Sequence, residues 1–141
     1  MTPDQIALVQ DSFRKVVPIA DVAAGLFYGR LFEIAPEVKP MFKGDMTEQG
    51  RKLMATLGVV VTGLTRLDTV LPAASALAKQ HVAYGVKPEH YPIVGSALLW
   101  TLDKGLGEAW TPELADAWTT AYGTLSGYMI SEAYGQPQAA E

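Results

Sequence analysis

Apolar residues recur every three or four positions along almost the whole chain, and this spacing places side chains on one face of an α-helix. No stretch alternates with a period of two for long enough to predict a β-strand. The pattern predicts an all-α protein of six or seven helices, over about residues 3–18, 20–35, 36–42, 46–64, 70–84, 89–106 and 112–134. The clearest apolar stripes are Ile6, Val9, Phe13 and Val16; Met46, Leu53, Leu57, Val60 and Leu64; and Leu114, Trp118, Ala121, Leu125 and Tyr128.

Capping residues predict where three of these helices begin. Thr2 is followed by a proline and, at the third helical position, by Gln5, which is the pattern of a capping box. Thr111 precedes a second proline, and Asp45 precedes the helix that starts near residue 46.

The segment 20–35 is apolar almost all round, which predicts a central helix rather than a surface one. Ala24 and Gly25 on this helix and Gly50 on a later one lack bulky side chains, so the two helices can cross closely there. Such a crossing would bring Gln49 near Tyr28.

Composition and charge narrow the class of protein. Hydrophobic residues make up 49% of the 141 residues, charged residues 18%, and the net charge is −4 with scattered Lys and Arg, which argues against a nucleic-acid-binding groove. The absence of cysteine excludes disulfides, iron–sulfur clusters and covalent haem attachment. The longest uncharged runs, 53–65 and 117–131, are too short to span a membrane, and the start does not resemble a signal peptide. We therefore expect a cytoplasmic protein with one domain over residues 1–134 and a short polar, disordered tail over 135–141.

The two histidines differ in their surroundings. His81 shares a helical face with Ala74, Leu77, Ala78 and Tyr84, so it should point inward, whereas His90 opens the next helix among charged and turn-forming residues. An inward histidine is most often a core residue with one satisfied hydrogen bond, and a histidine at a helix start is most often solvated or capping. From the spacing alone, each histidine could have this structural role or a chemical one.

Four more polar residues lie on or near apolar stripes. They are Tyr28 and Gln49 on one side, and Tyr91 and Glu132 on the other. Each has an ordinary alternative: core aromatic for the tyrosines, exposed helix residue for Gln49 and frayed helix end for Glu132. Together they suggest a pocket with a polar wall facing a histidine.

Few cofactors can use such a pocket. A structural zinc site needs three or four His or Cys ligands, which this chain cannot supply. Serine catalysis would need a nucleophile-elbow sequence around Ser75, Ser96 or Ser126, and a flavin or nicotinamide site would need a glycine-rich strand–helix turn; neither pattern is present. Haem needs only one protein imidazole, because the porphyrin supplies four bonds to the iron.

The sequence resembles the globins, and more narrowly the single-domain bacterial haemoglobins related to the haem domain of flavohaemoglobins. The resemblance covers about residues 3–134 and rests on "LFYGRLFEIAPEVKPMF" at 26–42, "KQHVAYGVKPEHYPIVGSALL" at 79–99, "AWTTAYG" and "SEAYG". It implies a globin fold around a haem b whose iron is ligated by His81. Gln80 stands where the family often has lysine, so no contact is assigned to that position.

The resemblance also implies roles for the other polar and apolar residues. Tyr28 would donate a hydrogen bond to bound O2, Gln49 and Leu53 would lie above the iron, and Phe42 would wedge against the haem. Tyr91 and Glu132 would be proximal partners of His81, brought together by a chain reversal through Gly85 and Pro88. Lys52 would reach a haem propionate. The remaining haem contacts would be Leu57, Val86 and Val94.

Two functions follow from the resemblance. The first is reversible binding of O2, NO and CO for oxygen binding or delivery, with NO detoxification in addition. The alternative is nitric oxide dioxygenase or peroxidase-like activity, which would depend on an external electron-donor reductase because the chain ends before any flavin domain. Gas sensing and a haem-free helical domain are further alternatives, and we expect a monomer or homodimer.

Overall fold

The computed structural model describes residues 2–42, 45–83 and 86–134, and within these ranges the chain forms α-helices joined by short 3₁₀ turns. The helices are α1 (Pro3–Val16), α2 (Ala20–Ile34), α3 (Met46–Thr62), α4 (Leu67–Ala83), α5 (His90–Leu106) and α6 (Pro112–Tyr134). The 3₁₀ turns are Val17–Ile19, Pro36–Met41, Gly63–Thr65 and Gly107–Ala109. The all-α prediction is confirmed; the predicted tail 135–141 lies outside the described residues.

The predicted helix caps are present. The Thr2 hydroxyl accepts from the Gln5 backbone N–H at 3.1 Å and the Gln5 side chain accepts from the Thr2 N–H at 3.0 Å, which completes the capping box. Asp45 accepts from the Thr47 N–H at 2.8 Å at the start of α3. Thr111 accepts from the Leu114 N–H at 3.2 Å at the start of α6.

The start of α4 differs from the prediction. The helix begins at Leu67, three residues earlier than expected, so Pro72 lies inside it rather than in its first turn. The carbonyl of Arg66 accepts from both the backbone N–H and the hydroxyl of Thr69, at 3.0 and 2.7 Å, and these bonds hold the first turn together. Local hydrogen bonding therefore starts the helix before the proline.

Helix α2 is the central helix, as predicted. It packs against both α3 and α5, and it buries Ala23, Ala24, Phe27, Tyr28 and Leu31. Helix α1 packs on α3, α5 and α6, and a buried hydrogen bond of 2.8 Å from the Trp118 indole N–H to the Ser12 hydroxyl ties α6 to α1. Helix α4 packs chiefly on α6.

The close crossing of α2 and α3 is confirmed at Ala24 and Gly50. A Cβ atom on Gly50 would lie 2.8 Å from the Ala24 Cβ, closer than carbon atoms normally approach. Gly25 does not take part, since a Cβ there would meet nothing within 4 Å. The absence of a side chain at Gly50 is thus what sets the distance between the two helices.

The buried apolar side chains of the described residues form two clusters. The larger cluster joins α1, α2, α3, α5 and α6 around Phe27, Leu31, Leu98 and Trp118. The smaller cluster consists of Ala74 and Ala78 of α4, Tyr91 of α5 and Met129 of α6. Helix α4, which carries His81, thus packs in a separate part of the interior. Among the described helices, none combines the length and apolar character that a membrane crossing needs.

We predict that Gly50→Ala destabilises the protein by about 1–3 kcal/mol, because the new methyl group overpacks against Ala24. Urea unfolding followed by far-ultraviolet circular dichroism measures the change. Gly25→Ala is the matched control and should be neutral or stabilising by about 0.5–1 kcal/mol, since it replaces an exposed helical glycine without a steric contact. Equal stability of the two variants would contradict the close crossing.

Candidate functional site

His81 lies in the last turn of α4 and is half-buried. Its Nδ1 atom is 2.7 Å from the carbonyl oxygen of Leu77, one helical turn earlier. A carbonyl can only accept, so Nδ1 carries the proton and Nε2 of a neutral imidazole presents its lone pair. The backbone carbonyl of His81 in turn accepts from the Val86 N–H at 3.0 Å.

Tyr91 lies beside His81, at the start of α5. Its buried ring is 6.3 Å from the imidazole, centroid to centroid, and inclined to it by 29°. The predicted proximity of these two side chains is therefore observed, although Gly85, part of the predicted chain reversal, lies outside the described residues. At the start of α5, the Tyr91 N–H donates to the carbonyl of Pro88 at 3.2 Å.

Tyr122 of α6 is a site residue that the sequence reasoning missed. Its hydroxyl donates to the backbone carbonyl of Tyr91 at 2.6 Å, and its ring lies against Gly95, where a Cβ would be only 2.6 Å from the ring. Burial, together with the nearby Tyr91, raises the pKa of this phenol. A glycine four residues after Tyr91 is a signal of such a close approach, but it does not indicate which residue approaches.

Tyr28 is a buried member of the larger cluster and is surrounded by aromatic rings. The rings of Phe27, Phe42 and Phe32 have centroids 5.1, 5.3 and 6.0 Å from its own. Its hydroxyl donates to the backbone carbonyl of Gln49 at 3.2 Å. Burial raises the pKa of Tyr28 to about 12, so the phenol keeps its proton over the physiological range.

Gln49 approaches Tyr28 as expected, but the observed contact uses the Gln49 main chain. The helix crossing at Gly50 brings the Gln49 carbonyl to the Tyr28 hydroxyl, and the Gln49 side chain is half-buried. The predicted role of that side chain above the iron stays a prediction.

The remaining predicted contacts are distributed over both clusters. Phe42, Leu53, Leu57 and Val94 are half-buried against the larger cluster, and Val86 against the smaller one. Lys52 is exposed on α3. Of the whole of α3, only Gly50 and Val61 are buried, even though the helix carries Leu53, Met54 and Leu57.

Glu132 has partners other than those the sequence suggested. One oxygen of its carboxylate accepts from the Ser75 hydroxyl at 2.8 Å and from the Tyr128 hydroxyl at 3.3 Å, and the residue is exposed. The imidazole Nδ1 of His81 lies 2.7 Å from the Leu77 carbonyl oxygen, and the expected role of Glu132 as a proximal partner of His81, directly or through Tyr91, stays a prediction. The Glu132 carboxylate thus joins α6 to α4 on the surface of the protein.

His90 has a structural role. The ring Nδ1 of His90 accepts from the Lys87 backbone N–H at 3.0 Å, and the backbone N–H of His90 donates to the Lys87 carbonyl at 3.0 Å. These bonds shape the turn before α5, so the main chain engages Nδ1 of His90, and His81 is the stronger candidate for a cofactor ligand.

These residues fit a haem group. One imidazole has its Nδ1–H held by a main-chain carbonyl, which orients the ring and leaves Nε2 as a ligand atom for iron. Half-buried aliphatic and aromatic side chains belonging to the two clusters would contact the faces of a flat apolar ring. A buried phenol with a raised pKa supplies a neutral hydrogen-bond donor.

Comparison with known proteins finds similarity to globins and to flavohemoproteins. A family model described as Globin matches residues 25–129. A flavohemoprotein of Rhodopirellula baltica is 38% identical over 128 residues, 89% of this chain and 31% of that protein. A flavohemoprotein of Bacillus subtilis is 31% identical over 124 residues, 83% of this chain and 31% of that protein. The chain therefore spans about a third of the length of these curated relatives.

Solved structures resemble the whole chain. A bacterial globin from Campylobacter jejuni is 30% identical, with a TM-score of 0.83 over 94% of this chain and 96% of the other. An engineered carbene transferase, a candidate nitric oxide dioxygenase from Rhodothermus marinus, is 25% identical, with a TM-score of 0.85 over 100% of this chain and 99% of the other.

We predict that Tyr28 makes folding stability depend on alkaline pH. Its pKa is 10.0 in the unfolded chain and about 12 in the fold, so its contribution is complete below pH 10 and is lost as the pH rises towards 12. The free energy of unfolding in urea should fall more steeply over this range for the parent than for Tyr28→Phe. Equal slopes would show that the phenol is not desolvated.

Proposed function

Because the chain belongs to the globin family, we propose that it binds O2, NO and CO reversibly at a haem b ligated by His81, for oxygen binding or delivery in the cytoplasm. The observation that carries this proposal is the commitment of the His81 Nδ1–H to the Leu77 carbonyl at 2.7 Å. It selects the tautomer in which Nε2 carries the lone pair that iron needs, and a haem requires no second histidine and no cysteine. The haem iron would supply the bond to the diatomic ligand.

On the proximal side, the chain controls how His81 is held. The Leu77 carbonyl fixes the direction of the imidazole, and the Tyr91 ring beside it limits rotation of the imidazole plane. The hydrogen bond from Tyr122 to the Tyr91 carbonyl holds the start of α5 in place. A neutral carbonyl acceptor makes the imidazole a weaker electron donor than a carboxylate acceptor would, which favours reversible binding over oxidative chemistry.

On the distal side, Tyr28 would donate its hydroxyl proton to a diatomic ligand that carries partial negative charge. The rings of Phe27, Phe32 and Phe42 hold the phenol in place, and its raised pKa keeps it a donor. Leu53 and Leu57 would exclude water, Gln49 would be a second polar side chain above the iron, and Phe42 would pack on the haem face. Val86 and Val94 would contact the ring, and Lys52 would pair with a propionate.

A second candidate function is nitric oxide dioxygenase, with the iron reduced by a partner reductase. The relatives named flavohemoprotein and the Rhodothermus neighbour favour this candidate. The two functions differ in turnover. A carrier consumes NO once for each oxygenated protein, whereas a dioxygenase consumes it continuously when an electron donor is present, and an NO electrode separates these cases.

We predict that His81→Ala abolishes stable haem binding, because the other histidine, His90, uses its Nδ1 in the turn before α5. The absorption spectrum of the purified protein measures this through the Soret band. His90→Ala is the control: it should keep the band, since the His90 Nδ1 atom is engaged by the Lys87 N–H. An unchanged spectrum in His81→Ala would remove His81 from the iron.

We predict that Tyr28→Phe speeds O2 dissociation by about tenfold. This factor corresponds to the loss of about one hydrogen bond to a charged group, less the bond that the Tyr28 hydroxyl makes to the Gln49 carbonyl when it does not bind the ligand. Stopped-flow mixing with CO measures the O2 dissociation rate. Phe32→Leu serves as a packing control, because it loosens the aromatic group without removing the hydroxyl, and it should change the rate less. An unaltered rate in Tyr28→Phe would exclude it as the distal donor.

A further inference from the structure

We propose that a groove between the end of α3 and the start of α4 binds a compact apolar carboxylate, at a site separate from the proposed haem site. The groove has a volume of about 590 Å³, and pockets that bind small molecules have volumes of about 300–1,000 Å³. Its walls are the last two turns of α3 and the first turn of α4, with Arg66 between them.

The floor of the groove is apolar and closely packed. Val70 is buried there, and a Cβ on Gly63 would lie only 2.0 Å from its Cγ2 atom, so the first turn of α4 rests directly on the backbone of the 3₁₀ turn before it. Gly58 lies over Phe13 of the larger cluster, where a Cβ would be 3.7 Å from the ring. Neither glycine has a side chain that could swing into the groove, so the cavity is already formed before a ligand binds.

The open side of the groove exposes apolar surface and limits the length of a ligand. Val59 is 57% exposed, and Ala55, one turn earlier on the same wall, is exposed as well. The wall from Ala55 to Thr62 is about 10 Å long, at about 1.5 Å of helix per residue. This length fits one aromatic ring with a short side arm rather than a long acyl chain.

The charge of the ligand follows from Arg66. Among the described residues that line the groove, Arg66 alone is charged. Ion pairs of the described residues form at Arg14 and Arg30, and none forms at Arg66. A guanidinium presents paired N–H donors that match the two oxygens of a carboxylate, and the first turn of α4 adds the positive end of a helix dipole beside it. One cation beside apolar walls favours a carboxylate that carries an apolar body over a wholly hydrophilic anion.

A ligand in this groove contacts two helices at once. Its apolar body rests on Val59 of α3, while its carboxylate pairs with Arg66 at the start of α4. It therefore links the end of one helix to the start of the next and stabilises the folded chain, because the unfolded chain lacks the groove.

The probe is 4-fluorophenylacetate, which has one aromatic ring and one carboxylate. Fluorine NMR follows its binding as the purified protein is titrated, and the uncharged 4-fluorophenylacetamide is the comparison. Arg66→Gln removes the cation, and Ala55→Leu fills part of the groove from an exposed position. Lys104→Gln is the matched control, because it removes an exposed cation that lies over the Trp100 ring, outside the lining of the groove.

We expect the carboxylate to bind the parent and Lys104→Gln equally, with a Kd of about 0.1–1 mM, and to raise the Tm of both. The amide should bind about tenfold more weakly. Arg66→Gln and Ala55→Leu should each weaken binding of the carboxylate by about tenfold, since one loses a charge-assisted hydrogen bond and the other loses space. Arg66→Lys, which keeps the charge, should bind better than Arg66→Gln, and circular dichroism checks that all variants fold.

Three results would overturn the inference. Equal binding of the acid and the amide would remove the role of Arg66. Parental binding in both Arg66→Gln and Ala55→Leu, or a change of the Soret band during the titration, would place the probe elsewhere. A dimer that is lost in both variants, in a protein that does not bind the probe, would put a second copy of the chain in the groove. A parent without a Soret band bears on the haem proposal alone, so the two failures can be told apart.

Discussion

The contact between α4 and α6 is the constraint on which the candidate site depends. Helix α4 carries His81 and packs on α6 through small residues, Ala74 and Ala78, against Met129. The same helix α6 carries Tyr122, whose hydroxyl holds the start of α5 and so the position of Tyr91. One helix therefore contacts the elements that carry both His81 and Tyr91.

The acceptor of the imidazole proton decides how strongly His81 can donate electrons. A main-chain carbonyl is neutral and is fixed by the helix that it belongs to, so it orients the ring with little change in basicity. A carboxylate in that position would give the imidazole more anionic character and would favour oxidative chemistry.

The sequence predicted features that depend on local rules, and it did not predict side-chain partners that come from distant parts of the chain. The caps at Thr2 and Asp45 and the crossing at Gly50 follow from residue type and spacing, and the structure contains all three. The spacing of Glu132 from Leu125 placed it on or near the inner stripe of α6, with an exposed helix end as the alternative, and the residue is exposed. Its contact with Ser75 joins two helices far apart in the sequence, and no local rule predicts which residues of two such helices meet.

The Tyr28 hydroxyl, the proposed distal donor, already has an acceptor in the fold. Tyr28 has one proton to donate, and in this structure it goes to the Gln49 carbonyl at the start of α3. Donation to a diatomic ligand would require that bond to be exchanged, so the net stabilisation of the ligand is the difference between two hydrogen bonds. The exchange also links ligand binding to α3, because Gln49 precedes the residue that fixes the α2–α3 crossing. In the proposed haem site, ligand affinity would therefore depend on the packing of Ala24 on Gly50 as well as on the phenol itself.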